Sequence, residues 1–426
     1  MVGGEGESEG VQAVRVELIN TGSELLLGLV QNTHLGFVSD CLGELGLRVA
    51  RQATIPDGPL IGEAVGEAWR RSDLVLVTGG LGPTSDDVTR EEVAGLLGRQ
   101  LVFHEEILEK IQGYFARRGL RAPESVRAQA FVPEGAEVLP NRHGTAPGFW
   151  VEQEGKKLAC LPGPPREFCP MMVEEVLPRL RRWLPGATGG HRKILRIMGI
   201  GESAVQERME GRLRAECPGL EIGYCARSGE VDLRLFGMDE GVVARGADLV
   251  RREFGEAIYG EDREGMEEVV VRRATALGRT MATAESCTGG MIAHRLTDVP
   301  GASAVFLRGW VTYSNEAKME ELGVAEELLR EQGAVSEAVA RAMARGALER
   351  SGADLAVATT GIAGPSGGTE SKPVGLIFLG LARREAGGEV VTEVMERHLV
   401  QQRAWFKQQA SQVALDWLRR SLGLGR

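Results

Sequence analysis

Three short apolar runs each end in a turn of glycines and small hydroxyl residues, and this repeated junction limits the possible folds more than any other feature. Leu74-Val75-Leu76-Val77 runs into Thr78-Gly79-Gly80-Leu81-Gly82-Pro83-Thr84-Ser85-Asp86-Asp87-Val88-Thr89, and a helical pattern begins near Arg90. Thr280 to Ala284 runs into Glu285-Ser286-Cys287-Thr288-Gly289-Gly290, followed by a helical pattern to about Leu296. Leu355 to Thr359 runs into Thr360-Gly361-Ile362-Ala363-Gly364-Pro365-Ser366-Gly367-Gly368. A short apolar run without alternation reads as a strand covered on both faces, the condition of a parallel sheet. Strand, glycine turn and helix in succession are the signature of an α/β fold.

The intervening rhythm divides the chain. Residues 13–170 alternate strand and helix and form one α/β domain. Residues 171–260 follow a β-α-β-β-α order, with a strand from Arg192, paired strands near 221–225 and 231–236, and a helix from Asp239; this is a small α+β module. Residues 264–426 return to the α/β pattern and close with a helix over Gln402 to Leu418. Residues 1–12 are acidic and glycine-rich and read as a loose tail, not a leader peptide. At 426 residues the chain has room for two to three domains.

Composition excludes several classes. The 58 glycines follow no three-residue period, so the chain is not collagen-like. A net charge of −10 does not suit bulk binding to a phosphate backbone. Residues 191–260 of the middle module carry 11 Lys+Arg against 12 Asp+Glu, and its nearest approach to a GXXG loop is Gly199-Ile200-Gly201-Glu202. Nucleic acid is therefore not an expected partner. Six scattered cysteines with no C-x-x-C pair read as reduced core thiols. No apolar run reaches the length of a membrane span, and a cytoplasmic location is expected.

The loop at 78–89 carries chemistry of its own. Its glycines allow close backbone approach, and the helix start beyond it suits a phosphate. Asp86 and Asp87 would repel a phosphate unless a divalent cation bridges them to it. Taken singly, Asp87 or Thr89 reads as a helix cap. Two further small-residue turns, Asn141 to Phe149 and Pro162 to Glu167, would complete a crevice at the same sheet edge.

Ser286 stands between a strand and a helix, where helix N–H groups would hold an oxyanion or a phosphate. A serine needs a base to become a nucleophile. His294, two turns along the next helix, is poorly placed. Tyr313-Ser314-Asn315-Glu316-Ala317-Lys318 offers a phenol and an amine after the next strand, and a desolvated lysine can act as a base. Read alone, Ser286 is a cap and Lys318 a solvated surface residue. Cys287 is a rival nucleophile with no evident activator.

The strings TGSELLLG, TGGLGPTSDDVT, NRHGTAPGF and LPGPPREF resemble the N-terminal half of the CinA family, the competence/damage-inducible proteins, and AESCTGG, GWVTYSNEAK, GAVSEAVA and TTGIAGPSGGTESKPVG resemble its C-terminal domain. The resemblance implies a molybdopterin-binding-like three-layer N-terminal domain, a KH-like middle domain and an α/β amidase domain. It implies ADP-ribose pyrophosphatase activity with a divalent metal at Asp86 and Asp87, and ADP-ribose contacts at Thr78, Gly79, Gly80, Gly82, Thr84, Asn141, Gly144, Thr145, Gly163 and Pro164. It also implies deamidation of nicotinamide mononucleotide without a cofactor. Ser286, Tyr313 and Lys318 would be catalytic there, and Thr288, Gly289, Gly290, Gly361, Gly364, Gly368 and Arg403 would bind the nucleotide. A homodimer is the family expectation. The chain departs from the family pattern at Ser23, often Asp, at His34, often Asn, and at Gln401-Gln402 and Lys407, where G-D-R and a second arginine are usual. An alternative is an N-terminal domain that binds without turnover, in a competence-associated adaptor.

Overall fold

The computed structural model describes residues 14–187, 189–227, 229–385, 387–399 and 402–423. The tail expected over residues 1–12 and Gln401 lie outside them. The chain forms two compact units, one up to Gly190 and one from His191.

The first unit is built on six strands in the spatial order Val49–Ile55, Val16–Thr21, Leu74–Thr78, Lys156–Leu161, Gly148–Gln153 and Glu137–Leu139. The first four are parallel and the last two antiparallel. Val16–Thr21 and Leu74–Thr78 are buried along their whole length, as unbroken apolar runs predict. Separate apolar cores fill the two faces. Ile61, Val65 and Trp69 of the helix Leu60–Arg71 lie in one, and Val38 and Leu42 of His34–Gly43 in the other. This is a three-layer arrangement.

The N-terminal unit ends later than the sequence pattern suggests. Residues 171–183 belong to it, because Phe168, Met171, Met172, Val176, Leu177 and Leu180 pack into the second core. Pro165, Pro170 and Pro178 obscure this helical stretch in the sequence. The chain passes them through Pro165–Met171, a π turn over Met172–Val176 and Leu177–Trp183.

The second unit holds two sheets. One is antiparallel, in the order Glu221–Arg227, Glu230–Gly237, His191–Met198, Ile258–Glu261, with helices Glu202–Glu216 and Glu240–Phe254 sharing its core. The other runs Phe306–Val311, Met281–Glu285, Leu355–Gly361, Leu376–Arg384, Val390–His398. Its first three strands are parallel and the rest antiparallel. Helices Met266–Leu277 and Arg403–Ser421 contribute to the core on one face, and Glu337–Ser351 to that on the other. The expected α+β and α/β classes both hold.

Candidate functional site

Both α/β sheets place their turns at the carboxyl ends of parallel strands, where such sheets open a crevice. In the first unit a cavity of about 500 Å³ lies there. Gly79, Gly80, Gly82, Thr84, Asp86, Asp87, Thr145, Gly163 and Pro164 all line it. Thr78 stands behind the wall, and Asn141 and Gly144 line an adjoining cavity that shares Thr145 with this one. The Thr78 hydroxyl accepts from Asn20 Nδ2 at 2.8 Å and pairs with His34 Nδ1 at 3.0 Å. Asn141 Nδ2 donates to Glu167 Oε2 at 2.7 Å, and a side chain at Gly144 would collide with that same carboxylate.

The loop is held from beneath by Arg90, which the sequence did not single out, and by its own side chains. Buried Arg90 donates to the carbonyls of Leu81 at 2.7 Å and Gly82 at 2.9 Å. Thr89 Oγ1 donates to Gly79 O at 2.9 Å, and Asp87 Oδ2 accepts from Thr84 N at 2.9 Å and from the Thr84 hydroxyl. The capping roles considered for Asp87 and Thr89 are not observed; both bonds close the loop instead. Gly79 adopts φ 102°, and a Cβ there would sit 2.6 Å from Thr21 O, so this glycine is required by the chain's own packing.

The departures at 23 and 34 have local explanations. Ser23 N donates to Asp57 Oδ2 at 2.9 Å, and Asp57 lines the cavity, so a carboxylate stands opposite Ser23. His34 stacks on Phe168 at 4.2 Å, and burial pushes its pKa down. Hydrogen bonds from Thr84 and its own amide hold the exposed Asp86 carboxyl below the usual carboxylate range. Among the described residues no group of three or more His, Cys, Asp or Glu could hold a metal. Asp86 and Asp87 offer oxygen ligands only. That donor pair fits a hard cation that keeps water and phosphate oxygens as its remaining ligands.

In the second unit, Ser286 and Lys318 meet although 32 positions separate them. Ser286 follows the strand Met281–Glu285, and its amide donates to Thr359 O at 3.0 Å. Lys318 sits in the helix Asn315–Leu322, which Ser314 caps by accepting from Ala317 N at 3.1 Å. Its amine lies 3.2 Å from Ser286 Oγ, 2.9 Å from Thr312 O, and 3.3 Å from the carbonyls of Tyr313 and Ser314. Lys318 is only 1% exposed, and this burial lowers its pKa from the ordinary lysine value. The surface-lysine reading is thus overturned. A neutral amine can donate two N–H groups to carbonyls and turn its lone pair to the serine hydroxyl.

Tyr313 is placed differently. Its ring is exposed, and its hydroxyl accepts from Arg403 NH2 at 2.7 Å. Arg403 NH1 also donates to Gly364 O at 3.1 Å, which ties the start of the last helix to the 361–368 turn. Lys407 lies beside Gly289, where a Cβ would come within 3.4 Å of Nζ. Thr288 is buried and pairs its hydroxyl with that of Thr359 at 2.8 Å. A Cβ at Gly361 or Gly368 would strike the Leu376 carbonyl or the Val374 amide at 2.8 Å, so backbone packing accounts for both. Cys287 is excluded as the nucleophile: burial pushes its thiol up to about 12.

Contrary to the expectation from the sequence, the helix after Ser286 does not present its first turn to a ligand. Fully buried Glu285 accepts from Ile292 N at 3.0 Å and Ala293 N at 2.8 Å. Gly289 N and Met291 N are used within the turn. The amides of Cys287, Thr288 and Gly290 have no backbone acceptor among the described residues and are donors left for an oxyanion. Glu285→Gln replaces one acceptor by an NH2 facing an N–H. Urea unfolding should then show a loss of about 1–3 kcal/mol, the cost of stranding a buried donor.

These two sites stand in a chain that has close relatives of nearly its own length. Over 410 residues, 96% of this chain and 97% of the relative, it is 48% identical to a CinA-like protein of Akkermansia muciniphila. The chain belongs to the CinA family. A competence-damage inducible protein of Caldicellulosiruptor saccharolyticus is 44% identical over 95% of this chain and 98% of its own length. Three family patterns divide this CinA chain: the probable molybdopterin binding domain over 17–182, the damage-inducible protein CinA KH domain over 192–260, and the CinA C-terminal domain over 263–422. The solved competence/damage inducible protein CihA of Agrobacterium tumefaciens is 46% identical; the match covers 37% of this chain and 96% of that one, with a TM-score of 0.34. Among the described residues no helix is long and apolar enough to cross a membrane.

Proposed function

We propose that this CinA protein hydrolyses the carboxamide of nicotinamide mononucleotide to nicotinate mononucleotide and ammonia. The observation that carries the reading is the buried Lys318 amine at hydrogen-bond distance from Ser286 Oγ. Ser286 Oγ attacks the amide carbon while its proton passes to Lys318, and the carbonyl electrons move to the oxygen, facing the Thr288 and Gly290 amides. Collapse breaks the C–N bond, and the lysine proton leaves with the nitrogen as ammonia. Water then attacks the acyl ester, giving its proton to Lys318, which returns it to the departing serine oxygen. Tyr313, bonded to Arg403, lies outside this direct proton path; with Arg403 and Lys407 it provides a polar, cationic edge for the nucleotide phosphate. Incubating the full chain with nicotinamide mononucleotide should release ammonia and nicotinate mononucleotide in equal amounts. Absence of both at millimolar substrate removes the reading.

The cavity of the first unit favours a second activity, hydrolysis of ADP-ribose to AMP and ribose 5-phosphate. Its glycine loop permits close backbone approach to a pyrophosphate. Asp86 and Asp87 would hold a divalent cation, which when bound would neutralise the pyrophosphate charge. Arg90 and Thr89 keep the loop in place from below. Asp86→Asn/Asp87→Asn should lower metal-dependent AMP release by at least about 10²-fold, the scale of lost electrostatic stabilisation. Unchanged release by the variant would remove the metal role of these carboxylates, whereas no release by the wild type points to a cavity that binds without turnover, as in an adaptor. We take the protein to be a homodimer without nucleic-acid affinity, which sedimentation with and without RNA at physiological salt would test.

A further inference from the structure

We propose that a separate concavity of the second unit is an effector site for an amino-bearing nucleoside monophosphate. It lies between the hairpin joining Glu221–Arg227 to Glu230–Gly237 and the opening turns of Arg403–Ser421, encloses about 540 Å³, and is lined by Arg227, Glu230, Trp405, Gln408 and Gln412. The volume falls within the range of small-ligand pockets.

Its lining has the chemistry such a ligand needs. Trp405 is 54% exposed, a broad indole face to which a base can stack. Arg227 is oriented by buried Asp232, its NH2 lying 2.8 Å from Oδ2, while Arg196 Nε approaches the same carboxylate at 3.8 Å. Arg227 has five N–H donors and keeps those not turned to Asp232 for an anion. Glu230 Oε2 accepts from Tyr259 OH and Gln412 Nε2, both at 2.6 Å. A carboxylate has about four acceptor sites, so Glu230 can also take an exocyclic amino group. Gln408 offers both a donor and an acceptor.

The site lies on the helix that meets the residues around the serine–lysine pair, Tyr313 and Gly289. Trp405 and Gln408 interleave with Arg403, bonded to Tyr313 and Gly364, and with Lys407 beside Gly289. Gln412 Oε1 accepts from Arg295 NH2 at 2.6 Å, on the helix that follows the Ser286 turn. A ligand that orders this end of the helix orders those contacts, and its effect falls on nucleotide affinity. This last step rests on the proposed amidase reading; the binding itself does not.

The test uses the full chain with AMP as the probe, in equilibrium dialysis at physiological salt. Trp405→Ala and Arg227→Ala should each weaken one class of AMP site about 10- to 100-fold, the loss of one stacked base or one anion contact. Asp86→Asn/Asp87→Asn should leave that class intact, which separates it from any AMP held by the first unit. In ammonia-release assays AMP should shift KM, and Trp405→Ala should abolish the shift with kcat retained. If no ammonia is released at all, the dialysis arm still decides. Wild-type AMP binding by both variants, no AMP binding by the wild type, or a Trp405→Ala effect confined to oligomeric state would overturn the proposal.

Discussion

Ser286→Ala should lower ammonia release from nicotinamide mononucleotide by at least about 10³-fold while leaving substrate affinity within a few-fold of wild type. The scale is that of losing a nucleophile from a site whose other groups remain. The methyl group keeps the turn intact, because that turn is held by the Ser286 amide on Thr359 O and by Glu285 on Ile292 and Ala293, none of which uses the serine hydroxyl. The adjacent thiol offers no bypass, since Cys287 is 5% exposed and its pKa is pushed far above neutrality. Rapid-quench measurement of product, with ligand binding measured separately, checks both halves. Substantial turnover by the variant would mean that water, not a serine ester, carries the reaction.

The difference between what was legible and what was not is instructive at this pair. Ser286 stands out in the sequence because an apolar strand must expose the residue just after it. Lys318 does not, because a lysine in a short polar helix has the pattern of a solvated surface. Only the return of the chain through the strand Phe306–Val311, parallel to Met281–Glu285, buries the amine against the serine turn. Glu285 and Arg90 were missed for a related reason. Their work is to satisfy backbone groups of loops, and no periodicity announces it. The helix Leu60–Arg71 was hidden by Gly62 and Gly66, which weaken a helical pattern. In the fold those glycines admit Glu92 and Leu96 of the neighbouring helix Thr89–Leu96. The strand Val49–Ile55 lies at the sheet edge and is partly exposed throughout, so it lacks the apolar run that revealed its neighbours.

The amine's charge state gives the sharpest expectation for the reaction. A general base must be neutral, and burial lowers the pKa of Lys318 because the low-dielectric surroundings disfavour its ammonium form; the Glu316 charge opposes this more weakly. The neutral fraction therefore becomes substantial at lower pH than for a free lysine, whose pKa is about 10.4. Wild-type kcat/KM should rise about tenfold per pH unit on the acidic side and level off below that value. Glu316→Gln removes a charge that favours the ammonium, so the rising limb should move to lower pH. Lys318→Arg keeps a cation in the site but cannot release its proton at these pH values, and should lose about 10²–10⁴-fold together with the limb itself. Lys318→Met removes the charge and should lose as much, which distinguishes the need for a proton acceptor from the need for a cation. If Lys318→Arg retained the wild-type rate and pH profile, the amine would be a structural tie between three carbonyls and the serine, and the base would have to be sought elsewhere.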